Sequence, residues 1–405
     1  MLDTPRPARR ILLADADAFF VAVARMEDPE GAGRAPLLIV GGAAGSRGVV
    51  CSASYETRKF GVRSAMPIAR ALRLCPDALC VPVPRSACSR MHRAIRAVLE
   101  RWAPVVQAAS IDEWYLDLAG TERLYEDASL DAIAHRIRDA VRVETTLSVS
   151  LGGGTSKLVA KLAVERAKPK TGATGVFVVQ PGAELDFMRQ LALADIPGIG
   201  PKTTARLAER GLRQVEDVLA LDGAALTRLV GDRDAHWLAE RVRGLDGGAV
   251  EERESAKSIS RDETFDADIH DDLLLEGELT ELVGRAAAEL RSEGRTTRTI
   301  TVRIRDNDFT TRQASRTVDD ALTSDRALFS IARALLYKLR KARRMPARLL
   351  GVSLSTFTAS GPRQLALFDV STPPLETRKD VAVSRAVDAV RARFGRDAIA
   401  PGRKH

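Results

Sequence analysis

A chain of 405 residues exceeds one ordinary domain and divides, at the usual domain size, into roughly two to four units. Hydrophobic residues at 45% and charged residues at 29% exclude a disordered chain, and no stretch reaches the ~18 uninterrupted apolar residues of a membrane span. A net charge of +8 points to a polyanionic partner, while aromatic residues at only 4% argue against base stacking and for contacts to phosphates.

In chain order, Met1 to Arg10 carries three arginines, but the apolar run Ile11 to Ala14 is cut at once by Asp15 and Asp17, which is not a secretory pattern. Strand and helix signals then alternate. A short strand ends at Asp15, a helical stretch starts at Phe19, a strand pair spans Val105 to Leu118, and a helix lies near Leu130 to Val143. A strand at Leu147 to Leu151, a helix at Ser156 to Arg166 and a strand at Val176 to Val179 complete an α/β or split-βαβ unit. Cys51, Cys75, Cys80 and Cys88 form no Cys-x-x-Cys pair and have no histidine at zinc-ligand spacing, so they read as reduced thiols of a cytoplasmic protein.

Residues 185 to 245 are helical in pattern, with turn signals at Pro197-Gly198-Ile199-Gly200-Pro201 and Arg210-Gly211. The first is a helix-hairpin-helix turn. Its glycines let backbone amides approach a phosphate and Lys202 follows on the helix, although a plain αα connection has a similar outline. Glycine and charge around Gly244 to Glu254 mark a linker, and a last folded unit runs from Lys257 to Phe357. There Thr299, Thr301, Arg303 and Arg305 alternate with Ile300, Val302 and Ile304, giving a strand with one basic and one buried face, and Arg312 and Arg316 follow on the next segment, so the sheet is expected to present rows of arginine that can track a duplex backbone. Ile331 to Arg348 carries seven basic residues and no acidic one, with Leu328, Ile331, Leu335 and Leu339 as its core face, so its arginines are expected in solvent. Thr358 to Pro374 reads as loop, and Val383, Val387, Val390 and Phe394 mark one face of a terminal helix stopped by Gly395.

The carboxylates carry the chemistry. Asp15 and Asp17 end one strand and Asp112-Glu113 lie in another apolar segment, and oxygen ligands at strand ends suit hard cations that also bind phosphates. Neighbours on a flat strand point to opposite faces, so Asp112 and Glu113 share a metal site only if the chain bends there. Taken alone, each cluster also fits a solvated strand end. Ser54 to Val62 reads as a short helix with Tyr55 and Arg58 on one face, a phenol beside a guanidinium fork, which is phosphate-binding geometry or an ordinary surface pair. Gly152-Gly153-Gly154-Thr155-Ser156-Lys157 lacks the spacing of a phosphate-binding loop and reads as a tight strand-to-helix turn.

Through Asp15-Ala16-Asp17-Ala18-Phe19-Phe20 and Ser110-Ile111-Asp112-Glu113, the chain resembles the Y-family DNA polymerases of the DinB branch, from Arg10 to about Phe357. The resemblance implies a multidomain α/β right hand. Its palm is a split-βαβ unit at residues 1–18 and 85–175, its small fingers lie at 19–84, and its thumb, carrying the helix-hairpin-helix, at 176–245. A linker at 246–256, an α+β little finger at 257–358 and a tail at 359–405 follow. It implies a low-fidelity translesion polymerase without a proofreading exonuclease. Two Mg2+ ions, with Mn2+ able to substitute, would be held by Asp15, Asp112, Glu113 and the carbonyl of Ala16, with Asp17 structural. Phe19, Phe20, Ser52, Tyr55, Arg58 and Lys168 would bind the incoming dNTP, and Phe20 would collide with a ribose 2′-hydroxyl. Gly198, Gly200, Lys202, Arg303 and Arg305 would hold primer-template DNA.

The sequence departs from the family pattern at Leu13, where histidine is frequent, at Trp114, where a small residue is common, and at Gly153 and Ser156, where a larger apolar residue and asparagine are usual. Gln364-Leu365-Ala366-Leu367-Phe368 resembles the bacterial sliding-clamp peptide, although so short a motif also arises by chance. The expected partners are primer-template DNA, a dNTP and the clamp, with no membrane, for a monomer in the bacterial cytoplasm.

Overall fold

The computed structural model describes residues 9–169, 174–252, 256–359, 374–395 and 398–399. Twelve strands are described, β1 (Ile11–Ala16), β2 (Leu38–Gly41), β3 (Val50–Ala53), β4 (Leu79–Pro82), β5 (Val105–Ala108), β6 (Glu113–Asp117), β7 (Val149–Gly154), β8 (Val176–Val178), β9 (Ser258–Ile269), β10 (Arg295–Asp306), β11 (Thr311–Leu322) and β12 (Ala347–Ala359). They divide between two units, Met1–Arg253 and Glu254–His405. Among the described residues no helix is long and apolar enough to cross a membrane.

In the first unit β1 is the hub of a five-stranded sheet ordered β5-β6-β1-β7-β8. Ile11, Leu12, Leu13 and Ala14 are fully buried because the strand is covered on both faces, which is why it reads as an unbroken apolar run rather than an alternation. Leu12, Ala14 and Ala16 pack with Ile95, Val98 and Leu99 of the helix Arg85–Leu99 and Ile133, Ile137 and Val141 of the helix Leu130–Thr145. Ile11 and Leu13 pack with Ala160 and Val164 of the helix Lys157–Ala167 on the other face.

The triple glycine sets how closely that last helix approaches. It lies within β7, not in a loop. A Cβ on Gly152 would fall on the Val164 nitrogen and Ala160 oxygen, and one on Gly154 on the Val159 side chain. Gly153 faces the other way, and Leu12 and Val178 close over the space a larger residue would take. Ser156 caps the helix by accepting from Val159 N–H at 3.1 Å and donates to the Gly244 carbonyl at 2.7 Å, so the departure from asparagine leaves the helix start capped.

Residues between β1 and β5 contain a small sheet that the sequence pattern did not reveal, ordered β3-β2-β4, with β2 and β3 antiparallel and β2 and β4 parallel. From it springs the helix Tyr55–Arg58, capped by the buried Ser54, whose hydroxyl accepts from Thr57 N–H at 3.2 Å and donates to the Pro36 carbonyl at 2.8 Å. Further on, helices Glu184–Arg189, Pro201–Ala208, Val215–Leu219, Gly223–Val230 and Asp232–Arg241 surround Leu193, Ile196, Leu207, Val215 and Leu238. Gly198 in the hairpin has φ +98°, and the Trp237 ring lies 3.0 Å from where a Cβ would stand.

The second unit is an antiparallel sheet ordered β11-β10-β12-β9, packed by its Ile300, Val302 and Ile304 face against helices Asp272–Ser292 and Asp325–Ala342. Two expectations fail here. Arg312 and Arg316 pair in register with Ile304 and Ile300, which puts them on the helix side rather than beside Arg303 and Arg305. Arg312 is committed to the fully buried Asp306, at 3.0 and 3.1 Å, and to the Leu339 carbonyl at 2.5 Å. Nor are the arginines after Ile331 simply solvated. Arg340 is buried against Asp272 at 2.6 Å and the His270 carbonyl at 3.0 Å, and Arg343 joins Asp306 and Asp308 at 2.8 and 2.6 Å.

The terminal helix Arg378–Phe394 docks through polar groups and uses its expected apolar face only in part, Val387 and Val390 being half-buried. Val383 is 54% and Phe394 66% exposed, whereas Ser384 is buried and accepts from Asp325 N–H at 3.1 Å. Asp388 takes both arms of Arg291, at 2.6 and 2.9 Å.

Candidate active site

Antiparallel pairing sets Asp15 opposite Glu113 and, on the other side, Ser150. Asp112 lies just outside β6 at the tip of the β5–β6 hairpin, so the chain does bend between the two acidic residues. The tip is tied to β1 by Ala16 N–H donating to the Asp112 carbonyl at 2.9 Å, and Ser110 Oγ donates to Asp112 Oδ1 at 2.5 Å. Asp17 accepts from Ser150 Oγ at 2.7 Å through one oxygen, and its other oxygen is buried with no hydrogen-bond partner among the described residues.

The helix brought close by Gly152 and Gly154 supplies the counter-charges. Lys161 Nζ is ion-paired with Glu113, and Lys168 Nζ sits 2.9 Å from Asp15 Oδ2 and 2.5 Å from Glu165 Oε1. Burial pushes the Asp15 carboxyl up to about 7 against the opposing pull of Lys168, with Glu113 adding repulsion. Burial alone would lower Lys168, but Asp15 and Glu165 hold its ammonium above the usual lysine range. Lys161 and Glu165 were not singled out from sequence, although the signal was there. Lys157, Lys161, Glu165 and Lys168 recur at helical spacing along a helix that is apolar elsewhere except at Arg166.

Among the described residues no three His, Cys, Asp or Glu side chains stand close enough to hold an ion as they are placed. The donor set nevertheless fits a hard divalent cation. It is all oxygen, it sits at the ends of hydrogen-bonded strands, and each of Asp15 and Glu113 already faces a cationic group that an ion would replace.

The short helix after β3 lies within electrostatic reach of these carboxylates. Burial raises the Tyr55 phenol, with Asp17 and Asp15 pushing the same way and Arg58 and Lys168 opposing. The Arg58 guanidinium stacks on the Tyr55 ring at 5.0 Å and donates to the Ala53 carbonyl at 3.0 Å and to the buried Ser52 hydroxyl at 3.4 Å. Ala18, at φ +46°, turns the chain from β1 into the helix Phe19–Glu27. The Phe19 ring is buried in the sheet core, so only its backbone is available to a ligand, while Phe20 is half-buried and meets Phe19 edge-on at 5.5 Å.

In the second unit Arg303 and Arg305 lie on the open face of the sheet, as their alternation predicts, among Thr299, Thr301, Gln313 and Ser315. Arg303 is 3.6 Å from Asp262, which reaches it across Gly351, and Arg305 donates to Thr311 Oγ1 at 2.9 Å. Gly200 is the N-cap of the helix Pro201–Ala208, and Lys202 is exposed on its first turn. Gln364, Leu365, Leu367 and Phe368 lie outside the described residues.

Residues 14–165 match the impB/mucB/samB family, residues 256–367 its C-terminal domain, and residues 191–242 a SAM-like helix-hairpin-helix tandem. The chain is 33% identical to DNA polymerase IV of Dehalococcoides mccartyi strain BAV1 over 397 residues, covering 98% of each chain. It superposes on a Y-family DNA polymerase chimera of Dbh and Dpo4 with a TM-score of 0.76 at 25% identity, over 86% of this chain and 99% of that one. An insertion ternary complex of Dbh DNA polymerase matches over the same shares, at 25% identity and a TM-score of 0.60.

Fold and relatives together define a DNA-directed DNA polymerase with palm, fingers, thumb and little finger, dependent on divalent metal. The chain belongs to the Y family of these enzymes, the impB/mucB/samB proteins of DinB type, whose work is translesion synthesis by two-metal phosphoryl transfer without proofreading.

Proposed function

We propose that Asp15, Asp112, Glu113 and the Ala16 carbonyl hold two Mg2+ ions, with Mn2+ able to substitute, and that Ser52, Tyr55, Arg58 and Lys168 hold the triphosphate of the incoming dNTP. The observation that carries this is the register of Asp15 against Glu113 with Asp112 tied to Ala16 at the hairpin tip. Bound divalent ions would supply charge neutralisation and a lowered pKa for the primer 3′-hydroxyl. The protein's share is positioning. Arg58, with its guanidinium on Tyr55, presents a planar fork to phosphate oxygens, and Lys168 exchanges Asp15 for phosphate as the nucleotide arrives. Phe20 stands at the sugar as the barrier to a 2′-hydroxyl, and the Phe19 backbone borders the same pocket.

The palm is assigned to residues 1–18 and 85–175, the fingers to 19–84, the thumb to 176–245 and the little finger to 257–358. Gly198, Gly200 and Lys202 would take phosphates of the primer-template, and Arg303 and Arg305 would track its backbone from the open sheet face. Gln364, Leu365, Leu367 and Phe368 would dock in the bacterial sliding clamp, raising the effective concentration of a monomeric enzyme at primer ends in the cytoplasm.

Extension of a labelled primer with Mg2+ and each dNTP, by wild type and Asp112→Ala, tests the site. Template-directed extension abolished in a folded Asp112→Ala protein is the expected result, and extension retained overturns the metal assignment. Clamp-stimulated extension lost in Leu367→Ala/Phe368→Ala, with clamp-free extension intact, tests the tail. Equal stimulation in both proteins removes that partner.

A further inference from the structure

The Asp112 hairpin tip is held within the sheet by Ala16 and again from one face, and the second hold is not part of the site described above. On the face away from Lys161 and Lys168, His92 of the helix Arg85–Leu99 brings Nδ1 to 2.9 Å from the carbonyl of Ile111, the residue before Asp112. Its ring lies on the indole of Trp114, the residue after Glu113, with centroids 5.1 Å apart and planes 28° apart. Trp114 is fully buried, and its indole N–H has no hydrogen-bond partner among the described residues. The flat face of this indole serves as the platform for the imidazole.

We infer that His92 is a positioning residue for Asp112, acting through the Ile111 carbonyl and seated on Trp114. A carbonyl only accepts, so Nδ1 carries the hydrogen and the imidazole donates it. The two peptide groups that flank the Asp112 Cα are then each pinned, the first by His92 at the Ile111 carbonyl and the second by Ala16 N–H at the Asp112 carbonyl, and together they set where the Asp112 carboxylate points. The larger residue at 114 thus acquires a purpose, since a small side chain there would leave the imidazole without a seat.

The inference rests on Asp112 as a metal ligand, and the experiment separates the two claims. Full-length wild type, His92→Phe, His92→Asn and Asp112→Ala are compared for thermal midpoint and for Mn2+ binding by electron paramagnetic resonance. The binding complex holds dideoxy-terminated primer-template and a non-hydrolysable dNTP. The kcat and KM for dNTP are measured alongside. Phenylalanine keeps the stack and lacks the donor, whereas asparagine places an amide N–H near the position of Nδ1. His92→Phe is expected to weaken Mn2+ binding about tenfold, the effect of one lost hydrogen bond, and to lower kcat with KM for dNTP unchanged. His92→Asn is expected to recover most of both. Wild-type Mn2+ binding in His92→Phe, or a loss in His92→Asn as large as in His92→Phe, overturns the positioning role. Should His92→Phe not fold, His92→Ala takes its place as the donor-free variant, a tenfold loss that His92→Asn largely restores supporting the role and wild-type binding in His92→Ala refuting it. Unchanged Mn2+ binding in Asp112→Ala refutes the ligand assignment instead.

Discussion

Asp388→Ala should release the terminal helix while leaving the rest of its unit folded. The Arg291 side chain is only 7% exposed and makes four hydrogen bonds, two to Asp388 at 2.6 and 2.9 Å, one to Asp325 at 2.7 Å and one to the Thr323 carbonyl at 2.7 Å. Breaking a buried pair by removing one member costs about 3 to 5 kcal/mol. Here Asp388 is partly exposed and Asp325 still faces the guanidinium, so the cost falls to roughly 2 kcal/mol. Little apolar burial opposes the loss, because of this helix's side chains Ser384 alone is buried. Roughly 2 kcal/mol corresponds to about thirty-fold in a local opening constant. Hydrogen exchange read by mass spectrometry should therefore show residues 381–394 exchanging about thirty-fold faster, with Leu275–Leu290 unchanged. Unaltered protection of the terminal helix would refute the polar-docking argument. So would loss of protection spreading into the strand Arg295–Asp306, because the latch would then support the core and not the helix alone.

Gly152→Ala drives a methyl into the backbone of Val164 and Ala160, which cannot yield as a side-chain tip can. A loss of about 1 to 3 kcal/mol in denaturant unfolding is expected, together with weaker extension as Lys161 and Lys168 are pushed back, and an unchanged midpoint would contradict the close helix–strand contact. Asp262→Ala frees Arg303 and removes a negative charge from the open sheet face, so primer-template binding should tighten. In the same titrations Arg305→Ala should weaken it and reduce the salt slope by roughly 1. Hydrogen bonds from Thr377, together with Arg326, hold Asp380 down at about 2, below its ordinary value, so its contribution to helix docking is complete above the ordinary carboxylate range. That contribution is lost as pH falls toward 2, and acid titration of terminal-helix protection, with Asp380→Asn as the pH-insensitive control, checks it.

Long apolar runs and paired motifs made the central strand, the carboxylate hairpin and the Tyr55–Arg58 helix readable, because each couples a local pattern to one tertiary answer. The small sheet was hidden, since β2, β3 and β4 are four residues each, too short for alternation to declare itself. Arg312 was misplaced for a different reason. Arg312 and Arg316 differ in parity from Arg303 and Arg305, and the register keeps that parity across the turn at Asn307–Thr310, with Gln313 opposite Arg303 and Thr311 opposite Arg305, so Ile304 opposite Arg312 puts that arginine inside. The buried Asp306 then explains why an arginine is tolerated there. The terminal helix misled in the opposite sense, since Val383 and Phe394 of its apolar face stay exposed and Val387 and Val390 are only half-buried, while Ser384 is the buried side chain.

The three glycines, set aside as a phosphate loop, govern the site in another way. A strand with side chains at 152 and 154 would hold the helix Lys157–Ala167 further from the sheet, and Lys161 and Lys168 reach Glu113 and Asp15 because it is close. Asp15 and Glu113 repel each other in a site where burial already raises the former. Two ammonium groups, one on that helix and one at its C-cap, offset that repulsion and let the carboxylates stand together before any cation arrives. On the assignment proposed above, the lysines are then displaced by the charges they stand in for. Lys161 would leave Glu113 to a metal ion and Lys168 would leave Asp15 for the triphosphate, so the cost of gathering the like charges would already be met in folding.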